Sequence, residues 1–597
     1  MPNQSILDLV GAQVRTRGPE TAALVKLDGQ YRPVSWAELW SEAERVAQAL
    51  IAIGIGPGDR VNIVSNTRYE WVSLDLGIVG AGAVTVPIDP SNLADECLYV
   101  CEHSGARLVF CEDAAQVGKF LGLRDALTGV INVVQMTGEV TAASNWVMSM
   151  LEFLALGLAV EDAALVERRA SLGPESILTI IYTSGTTGRP KGVVLTHANM
   201  IYEAETIRDL GLIEQTDVQL LFLPLAHSFA KVIEAGWLAT GHVLAFAESI
   251  TTVPHNLKEV RPTIMAGVPR VFEKFYGAVI SQGLGAGGLK RKLFGVTLAL
   301  SAEHGQLERA GKSLGLVEGL VFKLLSRVVL TRIRAGFMAA LGGRMRLMLS
   351  GGAPLAREIG WFFHDTGIVV LEGYGMTETS AGTTVNLPGD NQIGTVGPAL
   401  PGTEIEIASD GEILLRGPGI MREYWRDPEA TAETIVNGWL HTGDIGVLDP
   451  VTRALTITDR KKDLIITAGG KNVSPQRIED LAKSHVLVAQ CVVHGDRRRY
   501  LSALLTLDAA ALAEFAKQHG ISGDYAALTQ HPKVRAAVDE IIAQVNDELA
   551  RVETIKKFAV LEHDFSIETG ELTPKLSVKR KLVNSKYGHV FDGFYDD

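Results

Sequence analysis

Tyr182-Thr183-Ser184-Gly185-Thr186-Thr187-Gly188-Arg189-Pro190-Lys191-Gly192 follows an apolar, strand-like run, Ile177-Leu178-Thr179-Ile180-Ile181. Glycines let a backbone come close to a polyphosphate, hydroxyls donate to its oxygens, and a lysine brings a mobile positive charge. The stretch therefore reads as a phosphate-handling loop at the end of a strand. It is not the mononucleotide P-loop, in which Gly-Lys is followed at once by Ser or Thr to place a hydroxyl on magnesium beside a helix N-terminus. Here Lys191 is followed by Gly192. A flexible Ser/Gly turn would account for three or four such residues, but not for eleven in this order.

Outward from this loop, residues 35 to about 270 alternate amphipathic helical stretches with short β-rich runs. Trp36 to Ile53 is expected to be a helix, Arg60-Val61-Asn62-Ile63-Val64 a strand, Tyr69 to Val79 a helix and Ala83-Val84-Thr85-Val86-Pro87 a strand. Such alternation predicts α/β layers with parallel sheets. Between Pro269 and the strand-like Met345-Arg346-Leu347-Met348-Leu349 the pattern is mostly helical, interrupted by Gly283-Leu284-Gly285-Ala286-Gly287-Gly288. After Trp439 the chain becomes strand-rich, then charged at Asp459 to Asp463, and ends in a small α+β pattern with helices near Pro475–Ser484 and Pro532–Val552.

The 597 residues exceed what one hydrophobic core supports, so at least two domains are expected. A formal net charge of −13 argues against a nucleic-acid surface, which needs clustered Lys and Arg. There is no signal-peptide core and no apolar run of the roughly twenty residues needed to span a bilayer. The expected location is the cytoplasm, with peripheral attachment at the inner face of the membrane if the substrate is a lipid. Four cysteines, Cys97, Cys101, Cys111 and Cys491, are too few for a disulfide scaffold. Cys97 and Cys101 with His103 suggest a metal site without a fourth ligand, and buried thiols are the expected reading.

Further motifs follow the loop: Ser350-Gly351-Gly352-Ala353-Pro354-Leu355, Glu372-Gly373-Tyr374-Gly375-Met376-Thr377-Glu378-Thr379, Trp439-Leu440-His441-Thr442-Gly443-Asp444 and Asp459-Arg460-Lys461-Lys462-Asp463. In type and order they resemble those of the adenylate-forming superfamily of acyl-CoA synthetases, luciferases and peptide-synthetase adenylation domains, most closely a bacterial-type long-chain fatty-acid:CoA ligase. The resemblance runs from Ser35-Trp36-Ala37-Glu38-Leu39 to Gly570-Glu571-Leu572-Thr573-Pro574. It implies an α/β fold with a large N-terminal domain of layered sheets and a β-barrel-like part, residues 1–459. A hinge at 460–463 and a small mobile α+β domain at 464–597 complete it. The helical segment before Met345 is typical of the long-chain enzymes in that family. No carrier-protein module is expected after Asp597.

The resemblance also implies roles. Thr183, Ser184, Gly185, Thr186, Thr187, Gly188 and Lys191 would surround the β- and γ-phosphates of ATP. In the second constellation, Glu372, Gly373, Tyr374, Gly375 and Met376 would form the nucleotide site, with the Tyr374 ring on adenine. Thr377 would reach the α-phosphate, and Glu378 would bind Mg2+ as a hard oxygen ligand. Gly351, Gly352 and Ala353 would lie against adenine or the acyl group, Asp444 would accept from the ribose hydroxyls, and Arg460 would contact ribose or phosphate. Lys462 would be the hinge, and His227 would lie close to the carboxylate. The tryptophan that gates the acyl tunnel in some relatives would fall near Lys231, which leaves the gate unassigned. Gly469 and Gly470 would make room for the pantetheine arm of coenzyme A.

The end of the chain departs from the pattern. The adenylation lysine would stand at position 577, but Leu572-Thr573-Pro574-Lys575-Leu576-Ser577-Val578-Lys579 has serine there, with lysines two residues to either side. In an extended segment residues i and i±2 share a face, so both remain candidates, with Lys575 favoured. The expected reaction is ATP-dependent activation of a fatty acid to acyl-AMP, with release of pyrophosphate, then transfer to the CoA thiol. Its rivals are an acyl-AMP ligase that serves a carrier protein and a non-catalytic nucleotide-binding relative. Oligomeric state is open, a homodimer included.

Overall fold

The structure, a computed structural model, describes residues 4–140, 145–183, 189–284, 287–309, 312–468, 471–573 and 577–595. Two eight-stranded, mostly parallel sheets dominate residues up to 424. One runs in the order Glu423–Tyr424, Lys191–Thr196, Ile177–Thr183, Val84–Ile88, Arg60–Val64, Ala106–Cys111, Asn132–Gln135 and Val147–Ser149. The other runs Thr384–Val385, Val370–Tyr374, Leu347–Ser350, Ile264–Gly267, Val218–Leu221, Val243–Phe246, Thr21–Leu27 and Gln30–Ser35. Their central strands are largely buried, Val84–Ile88 at every position, as expected when helices cover both faces. The helix Tyr69–Gly80 is likewise buried at every position but Glu70, and a Cβ on Gly77 would stand 2.4 Å from Val46 Cγ1 of the helix Trp36–Ala52. Ser35 caps that second helix by accepting from the Glu38 N–H.

The barrel-like part is a five-stranded antiparallel sheet that joins Glu404–Ile407, Glu412–Arg416, Trp439–Leu448, Ile435–Val436 and Leu455–Arg460. Beyond a turn at 461–463 come a two-stranded ribbon, Ile465–Ile466 with Asn472–Val473, and a sheet of Val488–His494, Leu501–Leu507 and Ile555–Val560, with Pro475–Lys483 and Pro532–Asp547 among its helices. The apolar cores divide at the same turn. One cluster of buried residues runs from Ile6 to Leu455, and separate ones fill the C-terminal part from Ile465 onward. Few polar links bridge the two parts, among them Arg270 Nη1 to the Ala489 carbonyl (3.3 Å) and Ser474 Oγ to the Thr458 carbonyl (2.9 Å). The large and small parts of the expected two-domain fold are both present.

Within these mostly parallel sheets Ile177–Thr183 and Lys191–Thr196 are antiparallel neighbours, a pairing the alternating pattern does not disclose. A connection this short can join antiparallel neighbours but cannot cross over between parallel ones.

Candidate active site

The antiparallel pairing makes the phosphate-type loop the connection of a hairpin, with Tyr182 opposite Gly192 and Thr183 opposite Lys191. Ser184, Gly185, Thr186, Thr187 and Gly188 lie outside the described residues. Thr183 and Lys191, at the two strand ends, face a cleft of about 1640 Å³. From Arg189 the chain enters the strand Lys191–Thr196 rather than a helix. Lys191 Nζ stands 4.8 Å from the centre of the Tyr424 ring.

Tyr424 joins this loop to the second constellation. Its hydroxyl donates to Glu378 Oε1 at 2.8 Å, and the Glu423–Tyr424 strand pairs with the far side of the hairpin. Glu378 is 8% exposed and lines the cleft, and its second carboxylate oxygen has no hydrogen bond among the described residues. One fixed and one available hard oxygen beside a phosphate cradle suit Mg2+, which is usually held by one or two carboxylates together with phosphates. The backbone beneath it is strained. Ser380 has φ 59° and Ala381 φ 96°, held by Ser380 Oγ to the Gly419 carbonyl at 2.8 Å and the Ala381 N–H to the Met376 carbonyl at 3.0 Å. Gly375 is required here, because a Cβ would lie 1.7 Å from the Ala381 carbonyl oxygen.

Thr377 approaches a second loop, its Oγ1 lying 3.3 Å from Ser228 Oγ. His227, next in the chain, has Nε2 3.3 Å from Asp89 Oδ2. Burial alone would raise the Asp89 carboxyl, but hydrogen bonding with His227 and Ser91 outweighs it and holds the carboxyl below its usual range. Phe229 packs across Gly351, where a Cβ would come within 3.1 Å of the ring. Lys231 is not in the lining. It is buried on Asp75 and Glu234, 2.9 Å from Glu234 Oε2, so the expected gate position is a core ion cluster.

Gly351, Gly352, Ala353, Gly373, Tyr374, Gly375 and Met376 line the same cleft. Glu372 stands behind it, its carboxylate accepting the Leu355 N–H at 3.3 Å, and burial pushes it up to about 7 against the N–H bonds of Leu355 and Gly394. Asp444 is also set back from the lining. It accepts from the Tyr374 hydroxyl at 2.7 Å and lies 3.4 Å from Arg460 Nε, and burial, partly offset by these two, raises its carboxyl. Asp444 and Arg460 are register partners on neighbouring strands, which is how motifs sixteen residues apart come together.

From the small part, Lys462, Thr573, Ser577 and Lys579 face the cleft. Lys575, Gly469 and Gly470 lie outside the described residues. Tyr424 and Asp89 were not among the sequence candidates. Neither stands in a quoted motif, and only the folded register of Glu423–Tyr424 on Lys191–Thr196 marks the first. The thiols are buried, Cys101 Sγ lying 3.2 Å from Asn62 Oδ1, and no metal-binding group of three or more His, Cys, Asp or Glu occurs among the described residues.

A cleft of this kind, with a phosphate-type hairpin, an acidic residue after a Gly-Tyr-Gly turn and residues of the C-terminal part in its lining, is the arrangement of a nucleotide-dependent acid-activating enzyme. The model of the AMP-binding enzyme family matches residues 12–425, and that of the AMP-binding enzyme C-terminal domain matches residues 462–597. The chain belongs to this adenylate-forming family, whose members act on a carboxylic acid with ATP. It is 37% identical over 578 residues to the long-chain-fatty-acid–CoA ligase FadD15 of Mycobacterium bovis, covering 96% of this chain and 93% of that protein. It is 31% identical to the long-chain-fatty-acid–CoA ligase ACSBG2 of Xenopus laevis, covering 100% and 84%. In fold it is similar to the anthranilate CoA ligase AuaEII in complex with anthranoyl-AMP (TM-score 0.73, 19% identity, 99% of both chains). It is also similar to the A-PCP didomain of carboxylic acid reductase from Segniliparus rugosus (TM-score 0.75, 20% identity, 100% and 82%).

Proposed function

We propose that the protein is a long-chain fatty acid:CoA ligase. The observation that carries the reading is the continuity of the cleft. Its lining joins Thr183, Lys191 and Glu378 to Ile264, Met265 and Ala266 of one strand and Leu347, Leu349 and Ser350 of the next, so a nucleotide end opens into a mostly apolar passage. At about 1640 Å³ it exceeds the roughly 300–1,000 Å³ of a single small-molecule site, as two substrates require. The named relatives that cover almost the whole chain support the acid and the thiol acceptor.

In the first step a carboxylate oxygen attacks the α-phosphorus and the bond to the β-phosphate oxygen breaks, so pyrophosphate leaves. Thr377 would hold the α-phosphate beside the carboxylate that the His227 loop positions, and Thr183 and Lys191 would offset charge on the departing phosphates. Mg2+, held by Glu378, would neutralise phosphate charge. In the second step the CoA sulfur attacks the acyl carbon, the bond to the AMP oxygen breaks and the thiol proton passes to solvent. Asp444 and Arg460 would hold the ribose end of the nucleotide, and residues 464–597 would turn about Lys462 between the two steps. Separate cores on either side of 460–463 favour such a motion. A panel of carboxylic acids from short to long, assayed for pyrophosphate and for AMP with and without CoA, tests the reading. AMP release independent of CoA would sink the thiol acceptor, and no response to any fatty acid would sink the substrate.

The hinge carries its own prediction. Lys462→Pro fixes φ near −65° at a residue that must change conformation. It should slow consumption of acyl-AMP by CoA about tenfold more than formation of acyl-AMP. Equal losses in the two steps, timed separately, would argue against a hinge.

The proposal includes peripheral attachment to anionic membranes, where long-chain acids partition. The helix Leu316–Leu325 has no buried residue, and Leu316, Leu320 and Leu324, one face at helical spacing, are 97%, 68% and 65% exposed. Residues 288–344 carry ten Lys and Arg against three Glu in a chain of net charge −13. Each Lys or Arg near an anionic surface contributes about 1 kcal/mol. Among the described residues no helix is long and apolar enough to cross a membrane. Leu320→Glu with Leu324→Glu should abolish co-sedimentation with anionic vesicles and leave turnover of a short soluble acid unchanged. Equal binding to neutral vesicles, or dimerisation through this face, would refute the assignment.

A further inference from the structure

The passage along the strands includes a buried polar side chain. Ala266, Met265 and Ile264 of one strand and Ser350, Leu349 and Leu347 of the next line the cleft in succession. The cleft thus follows the strands inward from their loop ends. Gln219 lines it too and is the register partner of Ile264, which is opposite Leu347. That rung lies three residue steps from the rung of Gly267 and Ser350 at the reacting end. At about 3.3 Å per residue the Gln219 rung lies roughly 10 Å deep.

Around Gln219 the lining is otherwise apolar, with Leu212, Ile213, Ile264 and Leu347 among it. Gln219 is only 3% exposed, so its amide is committed to whatever the interior offers. One amide atom is held, Oε1 as assigned, 2.9 Å from His242 Nε2. His242 is fully buried and is held in turn by Thr240, whose Oγ1 lies 2.5 Å from Nδ1 and 2.8 Å from the Gly236 carbonyl. The other amide atom of Gln219 has no hydrogen-bond partner among the described residues.

The relay can run in two directions. If the Thr240 proton goes to the Gly236 carbonyl, Thr240 accepts from His242 Nδ1–H, and Nε2 keeps a lone pair that needs the Gln219 NH2. The carbonyl oxygen of Gln219 then faces the cavity. If the Thr240 proton goes to Nδ1 instead, Nε2–H donates to the Gln219 oxygen and the NH2 faces the cavity. Burial holds the imidazole neutral in both cases, down to about 3. A hydroxyl both donates and accepts, and so satisfies either arrangement.

We propose that Gln219, oriented by His242 and Thr240, is a subsite for a hydroxyl group on the distal part of the acyl chain, so that the enzyme favours hydroxy fatty acids over plain ones of equal length. The inference rests on the reading of this passage as the acyl site. At about 1.5 Å per C–C bond, foreshortened by the zigzag, a depth of roughly 10 Å corresponds to a hydroxyl some eight to ten carbons from the carboxyl.

The test measures kcat/KM for ω-hydroxy acids of about eight to twelve carbons, for plain acids of the same lengths and for 2-hydroxy acids. The matched ω-hydroxy acid should be favoured about tenfold, the scale of one hydrogen bond, mainly through KM. The 2-hydroxy acids should show no such gain. Gln219→Leu should remove the preference while plain acids are still turned over, which also shows that the variant folds. His242→Gln, which can still hold the amide, should retain part of the preference. Equal use of hydroxy and plain acids at every length, or an equal loss for both in Gln219→Leu, would overturn the subsite and leave the ligase reading intact. Failure to activate any fatty acid would overturn both.

Discussion

Glu378→Gln is expected to lower the rate of pyrophosphate formation by about a hundredfold to a thousandfold at saturating ATP, the scale of losing one group that stabilises charge at a reacting phosphate. The argument lies in how the carboxylate is divided. Oε1 is taken by the Tyr424 hydroxyl at 2.8 Å, and the second oxygen belongs to the cleft. Glutamine keeps the shape and can keep the Tyr424 bond through its carbonyl oxygen. It then presents an NH2 where a hard anionic oxygen stood, so folding should survive while magnesium-dependent chemistry does not. Raising magnesium should recover little, because the amide donates rather than coordinates. Tyr424→Phe separates orientation from ligation. It leaves the charge and frees its rotation, and should cost about tenfold. Pyrophosphate formation by Glu378→Gln at wild-type rates across magnesium concentrations would refute the ligand assignment.

The contrast between Glu378 and Tyr424 shows what the sequence could disclose. Glu378 stands inside an eight-residue motif whose type and order carry its reading. Tyr424 is remote in sequence and enters the site only because its two-residue strand pairs with the far side of the phosphate hairpin. Periodicity was a good guide to local structure: the strand Arg60–Val64 stands where the apolar run places it, and the helix Tyr69–Gly80 differs by one residue. Pairing was less legible, since a pattern of buried positions does not name its partner, and the antiparallel hairpin at Ile177–Thr196 was hidden for that reason.

Lys231 is the sharpest case. By motif position it stands near an absent gating tryptophan, yet it is buried on Asp75, 156 residues away, and on Glu234. Removing one member of a buried ion pair costs about 3–5 kcal/mol. No apolar residue could be placed there alone, which explains a lysine where the gate would stand. Gln219 and His242 escape notice similarly, because a polar residue inside a short apolar strand gives no hint of the relay that holds it.

Lys575→Ala is expected to slow adenylation by at least about a hundredfold, while conversion of pre-formed acyl-AMP and CoA to thioester is much less affected. The segment that carries the candidates is closed on itself and tied to the small part of the molecule. The Thr573 N–H donates to the Ser577 carbonyl at 2.8 Å, the Ser577 N–H to Thr573 Oγ1 at 3.1 Å, and Leu572 bridges Val578. Next to it, Arg580 reaches Glu479 Oε2 at 2.8 Å and the Val493 carbonyl at 3.1 Å, both in residues 464–597. Any lysine on this segment must therefore travel with the small part, and on the proposed turn about Lys462 its loss should be felt in only one half-reaction. Lys579, exposed and facing the cleft at the start of the helix Arg580–Lys586, is the other candidate. A selective adenylation defect in Lys579→Ala, with none in Lys575→Ala, would move the role to Lys579. If neither variant shows one, Lys575→Ala combined with Ser577→Lys decides the matter. Raised adenylation would mean that position 577 still faces the reacting carboxylate and α-phosphate, and that this chain has lost the usual occupant without losing the place.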